Sequence, residues 1–170
     1  MILSGSDWAT VFQNINGSNS SASANGLFIS VEHRPPHLKS SVEFGIGYYT
    51  SSGDKLIFRT PTLEVSLYLS PLKTPVFDLD FFVTGIGSGD FLVKVGQPLK
   101  RFTGNMYGLA AGGRLKLLPR SFFNIFIGAK INGWWLLNLD NVVDNISNTT
   151  FSLKNAHSAS IYAGISFQIL

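Results

Sequence analysis

Glu32, Glu43, Glu64, Asp78 and Asp80 in the first half of the chain, and Arg114, Lys116 and Lys130 in the second, are the residues whose spacing first suggests chemistry. Each occupies the polar position of a stretch in which apolar and polar residues alternate, so each points away from its apolar neighbours. Acids and bases gathered into one shared interior persist when they are paired and hydrogen-bonded. A fixed charge network is the expected chemistry. Other groupings carry less. His157 stands beside Ser158 and near Ser160, the types a hydrolase uses as base and nucleophile, but neighbours on a strand face opposite ways, so His157 and Ser158 cannot pair directly. His33 and His37 flank a turn with no third ligand to hold a metal. Asp140 and Asp144 lie among asparagines without the spacing of a calcium loop. The GIGSG run, Gly85 to Gly89, is followed by no helix that could cradle phosphate, which leaves it as a flexible surface loop. No catalytic group, metal or cofactor is expected.

The elements that must position these residues follow from composition and periodicity. In 170 residues, 45% are hydrophobic and only 14% charged, with 14 phenylalanines; ordinary soluble domains carry about 25% charge. Disorder is excluded, and one domain spanning residues 1–170 is expected. A balance of 13 Lys and Arg against 10 Asp and Glu is too dilute for a nucleic-acid surface. Without cysteine there is no disulfide framework and no thiolate zinc site. The first cation is Arg34, and only Ile2 and Leu3 are apolar ahead of Trp8, so no secretion signal is expected. The most apolar window, Phe122 to Leu139, is interrupted by Asn124, Lys130 and Asn132, unlike a membrane-crossing helix.

Alternation recurs along the whole chain. Val42, Phe44, Ile46 and Tyr48 share one face; so do Leu63, Val65, Leu67 and Leu69, then Phe77, Leu79, Phe81 and Val83. Similar runs lie over Tyr107 to Leu117, Phe123 to Asn132, Ile161 to Ile169 and Gly26 to His33, and a poorer one over Asp7 to Asn14. Eight strands result. Connections at Arg34 to Lys39, Pro71 to Pro75 and Leu118 to Ser121 are short and proline-marked, whereas those near Asn14 to Asn25, Thr50 to Thr62, Gly85 to Asn105 and Leu137 to Ala156 are long. Short and long alternate, as in an up-and-down meander with all turns at one end and all loops at the other. Phe91, Leu92, Val93 and Val95 in one long loop, and Val142, Val143 and Ile146 in another, are costly to leave in water. They are expected to pack together or to meet a partner.

Polar faces filled by Gly45, Gly47, Gly108, Ala110, Gly112, Gly128, Gly164 and Ser166 suit a narrow lumen better than a solvated surface. Tyr48, Tyr107 and Trp135 fall at the loop ends of the apolar faces, with Phe77, Phe123 and Phe167 near the turn ends, as two interfacial girdles would. The pattern resembles the small eight-stranded outer-membrane β-barrels of Gram-negative bacteria, the architecture of the outer-membrane protein A and X families. That resemblance implies an all-β, eight-stranded antiparallel up-and-down transmembrane β-barrel in the bacterial outer membrane. Outer-membrane lipid would surround it, and its loops would serve surface contact, adhesion or docking to an envelope protein. The strand SASIYAGISFQIL looks like the closing strand of such barrels but ends in Leu170 rather than an aromatic. Three alternatives stand beside this reading: a lipid-modifying hydrolase, to which His157 and Ser158 lend a loose similarity with lipid A deacylases; a small-solute pore; and a soluble β-barrel or sandwich with a binding role.

Overall fold

The computed structural model describes residues 2–4, 22–23, 25–35, 37–52, 56–95, 100–137, 142–144, 149–151 and 155–167. Every regular element among them is a strand: β1 (Ile2–Ser4), β2 (Ala22–Ser23), β3 (Asn25–His33), β4 (Ser40–Ser52), β5 (Leu56–Lys73), β6 (Phe77–Val95), β7 (Lys100–Leu117), β8 (Phe123–Leu137), β9 (Val142–Asp144), β10 (Thr149–Phe151) and β11 (Asn155–Phe167). Seven of these are long, β3 to β8 and β11, and each pairs antiparallel with the next, from β3 to β4 through to β8 with β11. This is an up-and-down meander. Its turns lie over residues 34–39, 74–76 and 118–122; in the last, Leu118 adopts a left-handed φ of 54° and its N–H donates to the Val76 carbonyl at 2.8 Å.

Side-chain polarity follows the two-residue period throughout. In β5, Leu63, Val65, Leu67 and Leu69 are exposed while Thr62, Glu64, Ser66, Tyr68 and Ser70 are buried. The sheet curls so that the buried faces meet: Arg114 on β7 reaches Glu32 on β3, Lys130 on β8 reaches Glu64 on β5, and the rings of Phe82 on β6 and Tyr162 on β11 lie 6.3 Å apart. The result is an incomplete barrel with its polar groups inside.

The strands run further than alternation indicated. Instead of a loop from Thr50 to Thr62, β4 continues to Ser52 and β5 begins at Leu56. Instead of a loop from Gly85 to Asn105, β6 and β7 pair as far as Val95 with Lys100, which places the GIGSG run inside a strand. Ladder bonds between backbones need no alternating face, so these extensions, Gly-rich from Gly85 to Gly89 and continuously apolar at Leu56 to Phe58 and Phe91 to Val93, show no two-residue period and read as loop. Phe91, Leu92, Val93 and Val95 therefore belong to β6, and Val142 and Val143 to the short β9–β10 hairpin. Ile146 lies outside the described residues, as does the expected strand from Asp7 to Asn14. Pro61 and Pro71, which cannot donate to a ladder, both sit in β5 where its pairing with β6 shifts register, between Arg59 and Leu63 and between Leu69 and Leu72. Bulges are where a strand tolerates proline.

Candidate functional site: the charged interior

Glycines determine how much fits inside. Six inward aromatics each lie directly across the ladder from a glycine: Phe28 from Gly47, Tyr49 from Gly26, Phe82 from Gly112, Trp134 from Gly108, Tyr162 from Gly128 and Phe126 from Gly164. A Cβ at Gly128 would fall against the Tyr162 ring, and one at Gly164 against the Phe126 ring. Each ring thus lies over its glycine partner and lines the interior. Gly128→Leu is expected to cost about 1–3 kcal/mol by overpacking, measured as thermal unfolding in detergent. Gly85, with nothing within 4 Å of its missing Cβ, provides the control: Gly85→Ala leaves stability close to the parent.

The charges form two layers. At the turn end Arg114, buried, donates to Asp80 at 2.8 Å, to Glu43 at 3.0 Å and to Glu32 at 3.0 Å, with its guanidinium 4.0 Å over the Tyr68 ring. Lys116 donates to Glu32 at 2.9 Å. Arg34 reaches back from the first turn to Glu32 at 2.8 Å, Asp78 at 2.9 Å and Asp80 at 2.9 Å. Four carboxylates face three cations here. Hydroxyls supply further donors: Ser41 to Glu32, Ser70 to Asp80 and Tyr68 to Glu43, at 2.7, 2.6 and 3.2 Å. Burial alone would lower the Arg34 pKa, but the charges of Glu32 and Asp80 raise it above the ordinary guanidinium value.

Toward mid-height a second tie crosses the interior. Lys130 donates to Glu64 at 2.8 Å, and Tyr49 donates to the other Glu64 oxygen at 2.8 Å. Between the layers lies a cavity of about 280 Å³ lined in part by Arg114, Lys130, Phe82 and Tyr162. All eight charged residues named from alternation lie inside, six in the first layer with Arg34 and two in the second.

Arg34, Tyr49 and Tyr68 were not among them. Arg34 sits in a turn, outside any alternating run, and only its place two residues after Glu32 hints at its role. The tyrosines share the inward phase of Glu43 and Glu64, which was legible. At the loop end His157 is exposed and Ser158 buried, where Ser158 Oγ accepts from Asn132 Nδ2 at 2.8 Å and Trp134 Nε1 at 2.9 Å. Histidine and serine are on opposite faces. No family model, curated protein or solved structure matches the chain.

Proposed function

We propose that the chain is an integral outer-membrane β-barrel of eight strands, its lumen closed by the charge layers, that acts through its loop end as a surface-contact, adhesion or envelope-complex subunit. One observation carries this reading: the polarity of the molecule is inverted. Asp80 is fully buried and Glu64 and Arg114 are each 3% exposed, while Ile29 is 72% and Ile131 68% exposed. Among the described outward positions of the long strands, charged or titratable nitrogen side chains occur only at the ends, Arg59 and His157 toward the loops and His33 toward the turns. Water would not tolerate so continuous an apolar wall; hydrocarbon requires it.

The dimensions agree. Exposed Phe123 and Trp135 stand near the two ends of the outward face of β8. Twelve residues at about 3.4 Å, tilted by about 40°, span roughly 31 Å, close to the hydrocarbon thickness. Tyr107 pairs with Trp135 in the upper girdle. The protein is expected to need detergent for solubility, to give a β-dominated far-UV spectrum, and to migrate differently on SDS gels before and after boiling. Monomeric solubility without detergent would end this reading.

A further inference from the structure

The turn end of the molecule exposes charge of one sign. Residues 34–39, 74–76 and 118–122 include no acid, and the carboxylates nearest to them, Glu32, Asp78 and Asp80, are drawn into the interior by Arg34, Arg114 and Lys116. Lys39, Lys73 and Arg120 stay outside that network. All three are exposed, and among the described residues no carboxylate pairs with them. Cations grouped without counter-charge attract anions.

Hydrogen bonds join the three turns into one ledge. Lys73 Nζ donates to the Leu38 carbonyl at 2.6 Å, and the Ser70 N–H to the Lys39 carbonyl at 2.6 Å, which ties the first turn to the strand entering the second. The Leu118 N–H donates to the Val76 carbonyl at 2.8 Å, which ties the second turn to the third. The second turn is closed by its own threonine: Thr74 Oγ1 donates to the Phe77 carbonyl at 2.6 Å and accepts from the Phe77 N–H at 2.9 Å. Leu117 pairs with Phe77 on one side and with Ile125, two residues from Phe123, on the other. The second and third turns therefore lie near the level of Phe123, where in the barrel reading hydrocarbon gives way to headgroups.

Apolar side chains stand among these cations. Leu38 is 53%, Val76 62% and Leu118 49% exposed. Leu118 is the most informative, because its φ of 54° is left-handed, a conformation that a branched residue adopts only under strain and that the following Pro119 disfavours further. Glycine or asparagine would suit both that backbone and water. A leucine kept there, strained and half-exposed, is placed to meet an apolar phase.

We propose that this ledge is a binding surface for anionic phospholipid: Lys39, Lys73 and Arg120 take headgroup phosphates, while Leu38, Val76 and Leu118 enter the acyl layer beside them. Charge and apolar contact then act on the same molecules, as on other interfacial surfaces. A soluble acidic protein segment would satisfy the cations and leave the apolar side chains in water. The proposal rests on the barrel reading and adds to it a lipid preference at one end.

The absence of cysteine makes the test direct. Ser121→Cys on the ledge, or His157→Cys at the loop end, carries one fluorophore on the whole chain in nonionic detergent. Spin-labelled phosphatidylglycerol should quench the Ser121 fluorophore about fivefold more than spin-labelled phosphatidylcholine, and the two lipids should quench almost equally at His157. Lys39→Gln, Lys73→Gln and Arg120→Gln together should remove the preference, as should about 0.5 M salt on the parent chain if that variant fails to fold. Lys39→Arg, Lys73→Arg and Arg120→Lys should keep it. Leu118→Gly should weaken quenching by both lipids alike. Equal quenching by the two lipids at Ser121, the same preference at His157, or a preference that survives both charge removal and salt overturns the proposal. So does displacement of phosphatidylglycerol by equimolar inorganic phosphate, which would point to a free anion, or by polyglutamate of equal charge, which would point to an acidic protein. A chain monomeric in water without detergent ends the barrel reading and this proposal with it; a detergent-requiring chain with no lipid preference ends this proposal alone.

Discussion

Arg114→Ala should lower the stability of the detergent-folded protein by about 3–5 kcal/mol, the cost of stripping one partner from a buried ion cluster. Arg114 is the hub because its guanidinium is the single group that holds Glu32, Glu43 and Asp80 together. Among the described residues, without it the fully buried Asp80 keeps only Arg34 and the Ser70 hydroxyl, and Glu43 keeps only the Tyr68 hydroxyl. Arg114→Lys retains the charge but not the planar fork that reaches three acceptors, so it should recover less than half of the loss. Arg34→Gln tests depth: its side chain is 20% exposed against 3% for Arg114, and water can replace part of what it donates, so the loss should be about 1 kcal/mol. The measurement is chemical unfolding in micelles followed by tryptophan fluorescence. Equally small losses, about 1 kcal/mol or less at both arginines, would mean that the interior is wet throughout and that these ion pairs hold nothing in place.

What the sequence disclosed, and what it did not, follows from where two-residue periodicity is enforced. From Leu63 to Leu69 and from Phe123 to Ile131 every outward position is apolar and exposed, so alternation marks these strands without ambiguity, and the inward charges are read as its complement. Leu56 to Arg59 reads LIFR and Phe91 to Val95 reads FLVKV, nearly continuous apolar runs with no two-residue alternation, so the pattern marks no strand there although the backbones pair. The same reason hid β1, which at three residues is too short to show any period. Proline misleads similarly: Pro61 and Pro71 read as breaks, although β5 passes through both by shifting register. Arg34 escaped because a long side chain in a turn can fold back into the lumen while its backbone lies outside. Spacing can reveal which face a strand residue occupies, but not how far a turn residue reaches.

Planar bilayers containing the unmodified protein are expected to pass no steady current. In the eight-stranded barrel proposed above the interior is only wide enough for its own side chains, and two separate layers cross it. The lower one links β3, β4, β6 and β7 through Arg114 and the turn residue Arg34; the higher one links β8 to β5 and β4 through Lys130, Glu64 and Tyr49. Between them lies a cavity of about 280 Å³ lined by Arg114, Lys130 and the rings of Phe28, Tyr68, Phe82, Phe126 and Tyr162. Opening one layer should not open the path. Asp80→Ala with Arg114→Ala, which removes an acid together with its base, should give no more than brief leak, and so should Glu64→Ala with Lys130→Ala. All four changes together should give discrete steps, because only then does a continuous polar route run past the aromatic rings. Stable single-channel steps from the unmodified protein would refute the seal and favour a pore. Steps from either pair alone would show that one layer, not two, closes the lumen.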